Sequence, residues 1–172
     1  LEIQRIASEI ITQLPQGRID EETTFNIGTI NGGSVRNAVP ENTTIHGEFR
    51  SHNKNSLEGL TLALNSAIGN TQNAFPESKI GLKIETHFEA YSVSESQPSI
   101  KRVKNALNSL GLECNLSPSG GGTDGNILRS NGVDAAVVGM ADHNAHTVRE
   151  YIEVNELLDV AKLCERLLRI KS

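Results

Sequence analysis

Two short runs of this sequence hold residues of the kind that do chemistry. In Ser119-Gly120-Gly121-Gly122-Thr123-Asp124-Gly125, three consecutive glycines carry no Cβ and let a backbone come close to a ligand. Asp142-His143-Asn144-Ala145-His146, followed by Glu150, reads as a loop at the end of an apolar strand, where an imidazole can hold a metal. Together they make half of an enzyme site. One or two histidines do not complete a hydrolytic metal centre, and no recognisable ligand cluster stands upstream of them.

The elements that must position these loops follow from apolar periodicity. Ile3, Ile6, Ala7, Ile10, Ile11 and Leu14 form the buried stripe of an opening helix, ended by Pro15 and Gly17. Thr24 to Ile30 is a strand with Phe25, Ile27 and Thr29 on one face, and Asn31-Gly32-Gly33 turns the chain. Thr44 to Arg50 is a second strand, with Ile45, Gly47 and Phe49 opposed to His46, Glu48 and Arg50. Asn55 and Glu58 resemble a capping box before a helix with Leu57, Leu60, Leu64, Ala67 and Ile68. Gly81 to Phe88 is a third strand, with Leu82, Ile84, Thr86 and Phe88 on one side. This order, helix, strand, strand, helix, strand, is a split βαβ sandwich without its opening strand.

After the serine-rich stretch from Ser92 to Gln97 the pattern changes. Pro98 starts a helix with Ile100, Val103, Ala106, Leu107 and Leu110, closed by Gly111. The glycine run comes next, then a helix near Asn126 to Arg129 capped by Asp124, and the apolar strand Ala135 to Met140. A last helix carries Val154, Leu157, Leu158, Ala161, Cys164, Leu167 and Leu168. Helices alternating with an apolar strand suggest part of an α/β layer with a mainly parallel sheet. The fold class is therefore α/β, with residues 1–92 as an α+β domain and 93–172 as a second segment.

Composition excludes several functions. Sixteen basic and twenty-one acidic residues give a net charge of −5, without a basic block or an aromatic stacking run, which argues against nucleic acid. No apolar stretch approaches the roughly 20 residues of a membrane span. Cys114 and Cys164 stand far apart and read as core residues, neither a CxxC knuckle nor a disulfide framework, as expected of a cytoplasmic protein. Leu1 opens directly into a helix without Met, so the chain is expected to be a piece of something longer.

Four motifs occur in register: Gly32-Gly33-Ser34-Val35-Arg36-Asn37-Ala38-Val39-Pro40, then Gly47-Glu48-Phe49-Arg50, then Gly120-Gly121-Gly122-Thr123-Asp124-Gly125, then His146 with Glu150. In this order and spacing the chain resembles the cocatalytic zinc exopeptidases, most of all their peptidase T-like branch, over its whole length. The resemblance implies that His146 is a metal ligand and that Arg50 reaches from a lid domain to the substrate carboxylate. It implies that Asn37 holds the substrate or its tetrahedral intermediate, and that Gly121, Gly122 and Thr123 line the substrate. The complete enzyme would carry two divalent ions, zinc with cobalt or manganese as options, act on short peptides such as tripeptides, and pair as a homodimer through residues 1–92.

The same resemblance places the general base and the other ligands before Leu1, so this chain alone is expected to be an inactive C-terminal fragment. Read without it, Arg50 is a surface ion-pair partner, Asn37 a turn residue, the glycine triplet a linker, and each histidine solvated. His46, His52 and His87 fall on surface or sheet positions. A non-catalytic dimerising or peptide-binding module, or a deacylase of N-acyl amino acids, are the alternative functions.

Overall fold

A computed structural model describes residues 3–169, so Leu1 lies outside the described residues. The chain divides into two compact units, one through Thr86 and one from His87.

In the first unit, α1 (Ile3–Thr12) and α2 (Lys54–Ala74) lie with a sheet of order β1 (Gly17–Arg18), β2 (Thr24–Gly32) and β3 (Thr43–Arg50), paired antiparallel throughout. The helical stripes meet the sheet in one apolar cluster. Leu14, Phe25, Leu60 and Ala67 are buried there, with Ile10, Ile27, Phe49 and Leu64 packed against them. The rings of Phe25 and Phe49 stack across β2 and β3 at 6.0 Å. Polar groups brought into this interior are paired, as burial requires. Gln13 Nε2, just past the end of α1, donates to the wholly buried Thr71 Oγ1 of α2 at 3.0 Å, and the hydroxyls of Thr23 and Ser51 share a hydrogen bond of 2.9 Å.

The structure corrects two local readings. Thr29 is not on the face of Phe25 and Ile27, because the register shifts between Ile27 and Thr29. Gly28 is the extra residue of a bulge, and every residue after it changes sides. Thr29 therefore stands opposite His46 on the polar face, and Ile30 opposite Ile45. The cap of α2 is Asn53, whose side chain accepts from Asn55 N–H at 2.9 Å, not an Asn55–Glu58 box.

Where the bulge closes, Gly47 has no room for a side chain: a Cβ there would lie 2.7 Å from Asn26 O and 3.5 Å from Ile27 Cα. Backbone on the facing strand cannot swing aside as a flexible side chain can. We expect Gly47→Val to destabilise the first unit by about 1–3 kcal/mol. A urea titration of wild type and variant followed by circular dichroism measures this, and an unchanged midpoint would contradict the tight packing at the bulge.

The segment Gly81 to Phe88 joins no ladder among the described residues, and Leu82, Ile84 and Phe88 are exposed. Alternating apolar residues alone do not make a strand; the N–H and C=O groups of a neighbouring strand must pair with theirs.

The second unit comprises α3 (Pro98–Ser109), α4 (Asp124–Ser130), the antiparallel pair β4 (Asp142–His143) and β5 (Tyr151–Ile152), and α5 (Val154–Arg169). Helices α3 and α5 pack together. Arg102 Nη2 of α3 donates to Leu167 O at 2.7 Å, satisfying a carbonyl in the last turn of α5. The parallel layer expected around Ala135 to Met140 forms no ladder among the described residues, and the fold is a mixture of helices and small antiparallel sheets.

Helix α5 carries two apolar stripes. Val160, Leu163 and Leu167 are buried or half-buried, whereas Val154, Leu157, Ala161, Cys164 and Leu168 are exposed. Cys164 is thus not a core residue, and Cys114 is half-buried. Nothing among the described residues covers the second stripe. No helix of the described residues is long and apolar enough to cross a membrane.

Candidate active-site loops and similar proteins

Arg50 ends β3 on the face opposite Phe49, because side chains alternate along a strand. Its guanidinium meets Glu48, two residues back on the same face, at 2.8 Å. Both groups are about half exposed, so this pair contributes little to stability. Asn37 lies in the exposed turn between β2 and β3. That turn curls around a shallow concavity lined by Gly33, Val35, Ala38, Val39 and Pro40.

In the second unit the glycine run leads straight into α4. Thr123 rather than Asp124 is the N-cap: its hydroxyl accepts from Gly125 N–H at 3.2 Å, and Asn126 Oδ1 accepts from Thr123 N–H at 2.9 Å. Asp124 occupies the first helical position, where a carboxylate favours the positive end of the helix dipole. The capping box sets the exit direction of Gly121-Gly122-Thr123. Close approach requires glycine in two places: a Cβ on Gly122 would fall 2.5 Å from the Phe88 ring, and one on Gly125 would fall 2.4 Å from Val137.

His146 sits in the loop between β4 and β5 with φ +63°. Its backbone N–H donates to Glu150 Oε2 at 2.9 Å, and its ring makes no hydrogen bond among the described residues. Asn144, at φ +53°, accepts through its carbonyl from Thr147 N–H and Oγ1, which closes the turn. His143, read as merely solvated or capping, is held from two sides: Nε2 lies 2.6 Å from Glu156 Oε2 of α5, and its ring stacks on Tyr151 at 4.8 Å. Nothing in the sequence pattern marks that pair, since it joins a loop to a helix 13 residues on.

Zinc takes four ligands in structural sites and three protein ligands in catalytic ones. No three His, Cys, Asp or Glu side chains converge among the described residues, and the Glu150 carboxylate is already turned to a backbone N–H. The residues present do not build a metal centre by themselves. His146 offers one imidazole.

Sequence reasoning passed over Arg129 and Asp134. Asp134 Oδ2 accepts from Ser99 N–H at 2.9 Å and Oδ1 from Ser99 Oγ at 2.7 Å, so it caps α3, whose own N-cap residue Gln97 makes no side-chain cap. These hydrogen bonds from Ser99, with the charge of Arg129 behind them, hold the Asp134 carboxyl below the usual carboxylate range. A depressed folded-state value means that the stabilisation is present above the unfolded value, about pH 4, and is lost as pH falls through the folded one. We expect Asp134→Asn to flatten the acid limb of the stability curve below about pH 4. Denaturation midpoints from pH 2 to 7 measure this; parallel curves for wild type and variant would remove Asp134 as the group responsible.

Residues 4–75 match the family model of the peptidase dimerisation domain. Within the first unit, the chain is thus similar to that domain. Over 92% of its length the chain is similar, at 29% identity, to an uncharacterized protein, YqjE, of Bacillus subtilis. Over 94% it is similar, at 27% identity, to peptidase T of Brevibacillus brevis. Among solved structures, a tripeptidase from Staphylococcus aureus superposes on 96% of the chain with a TM-score of 0.78 at 25% identity. The chain spans 42% of the length of both curated relatives and 44% of the tripeptidase chain, less than half in each case.

Proposed function

We propose that this chain is part of a cytoplasmic metal-dependent exopeptidase that removes residues from short peptides, tripeptides foremost. The observation that supports the reading is the match of residues 4–75 to the peptidase dimerisation domain, followed in the same chain by the capped glycine loop and the His146 loop. In this reading residues 1–92 form the lid and the homodimer interface, and residues 93–172 are the C-terminal part of the catalytic domain. Arg50 grips the substrate carboxylate with its planar fork, and Asn37 bonds to the substrate. Gly121, Gly122 and Thr123 lie along the peptide, where the lack of side chains on the glycines admits a second backbone. His146 supplies one ligand to a pair of divalent ions, zinc or else cobalt or manganese, whose remaining ligands and general base lie outside these 172 residues. When bound, such ions polarise the scissile carbonyl and supply a hydroxide.

The test is hydrolysis by the complete polypeptide, equilibrated with zinc, of a panel of tripeptides, dipeptides and N-acyl amino acids, alongside its mass in solution. Turnover of tripeptides by a dimer is expected. Absence of hydrolysis across the panel, with metal bound, would leave the non-catalytic module as the better reading.

A further inference from the structure

Three consecutive glycines cannot hold a loop in shape, because they bring no side chain to pack and the largest backbone entropy of any residue. The shape of Gly120-Gly121-Gly122 must therefore come from the adjoining element, α4, a helix of seven residues. Two turns are too short to be stable alone, and α4 buries only Gly125; Ile127 and Leu128 are exposed. Polar contacts fix α4 instead. At its start Asn126 Nδ2 donates to Glu89 O at 2.9 Å. At its end stands Arg129, whose side chain is 11% exposed.

Arg129 engages four neighbours at once. Nε donates to Ala135 O at 2.7 Å, and Nη2 lies 3.1 Å from Gln97 Oε1, 3.1 Å from Asp134 Oδ1 and 3.4 Å from Ser99 Oγ. Its Cζ sits 5.2 Å from the centre of the Tyr91 ring, within cation–π range. The guanidinium thus ties α4 to the start of α3, to the chain after α4 and to the segment before α3. Tyr91 closes the circuit, since its hydroxyl also abuts Gly125. A lysine keeps the charge but has neither the planar face nor the spread of donors to reach these groups together.

From this geometry we infer that Arg129 is the positioning residue of the glycine loop: it clamps α4 and thereby sets the path of Gly121-Gly122-Thr123. The inference rests on the proposed substrate role of that loop for its effect on turnover, but not for its effect on structure.

The experiment compares Arg129→Lys with wild type in the complete polypeptide by amide hydrogen exchange and by steady-state kinetics on a tripeptide. We expect exchange over residues 120–126 to accelerate at least about tenfold with residues 54–74 of α2 unchanged, and KM to rise about tenfold with kcat moving much less. Unchanged exchange over 120–126 would overturn the inference. Faster exchange spread over α3 and α5, with a lower apparent kcat and an unmoved KM, would also overturn it, because that is the signature of a merely stabilising residue. Faster exchange confined to the loop with wild-type kinetics would uphold the clamp and refute the loop's contact with substrate. Gln97→Ala, which removes one acceptor and leaves the others, reads the same quantities in the same direction should the lysine variant fail to fold.

Discussion

On the proposed reading, His146→Ala in the complete polypeptide is expected to remove about one metal ion per chain and to lower peptide hydrolysis by about 100-fold or more, since loss of a ligand should cost at least as much as loss of the groups that orient one. The backbone complicates a simple reading of that variant. His146 has φ +63°, a left-handed conformation that costs any residue with a Cβ and that histidine and asparagine adopt more readily than alanine. His146→Asn separates the two effects, since asparagine tolerates the left-handed region and lacks the imidazole. If the ring is a ligand, both variants lose metal by elemental analysis. If asparagine keeps full metal content and alanine does not, the loop's conformation is what matters and the imidazole is not a ligand.

Arg50→Ala is expected to cost about 2–3 kcal/mol of transition-state binding, a loss of roughly 30- to 150-fold in kcat/KM, the range for hydrogen bonds to a charged group. The side chain already meets Glu48 at 2.8 Å, so it is held on the polar face of β3 in an extended pose. Screening by solvent makes that pair weak, and a carboxylate presented by a substrate in a closed site is a stronger partner. The decisive comparison is between a peptide acid and its C-terminal amide. Wild type should favour the acid, Arg50→Ala should treat the two alike, and Arg50→Lys should recover only part of the preference because it lacks the bidentate fork. An undiminished preference for the acid in Arg50→Ala would remove this residue from substrate recognition.

What was legible in the sequence was whatever obeys a period. The stripe of α1 through Ile6 and Ala7, continued by Leu14 just past its end, and that of α2 through Leu60 and Ala67 read directly, because burial on a helix repeats every three to four residues. The two faces of β3 did as well, with Phe49 inward and Arg50 outward. Misreadings arose where a local rule met a non-local fact. Gly81 to Phe88 and Ala135 to Met140 have strand composition, but a strand exists only with a hydrogen-bonded neighbour, and composition does not say whether one is there. Cys164 follows the spacing of an apolar stripe, yet the stripe that packs on α5 is the other one.

The candidate site divides in the same way. The glycine loop and the His146 loop are contiguous motifs and could be found as such. Arg129 could not, since an arginine in the last turn of a short helix is what the helix dipole favours on any surface. Its nearness to Asp134 was the one available hint. Asp134 in turn caps α3 from 35 residues away, a relation that no spacing rule contains.

The extra residue at Gly28 makes β2 a strand with two phases. Up to Ile27 the odd-numbered side chains enter the interior; beyond Gly28 the even-numbered ones take the inner side, so that Ile30 lines the hollow beside α1 with Ala7 and Ile11. Length is therefore a stricter specification than identity at this position. Exchanging Gly28 for another residue keeps both phases, whereas excising it would turn Thr29 inward and Ile30 outward along with everything after them. For a library of variants of this domain, single-residue deletions across β2 are the changes to leave out, even where substitutions are freely accepted.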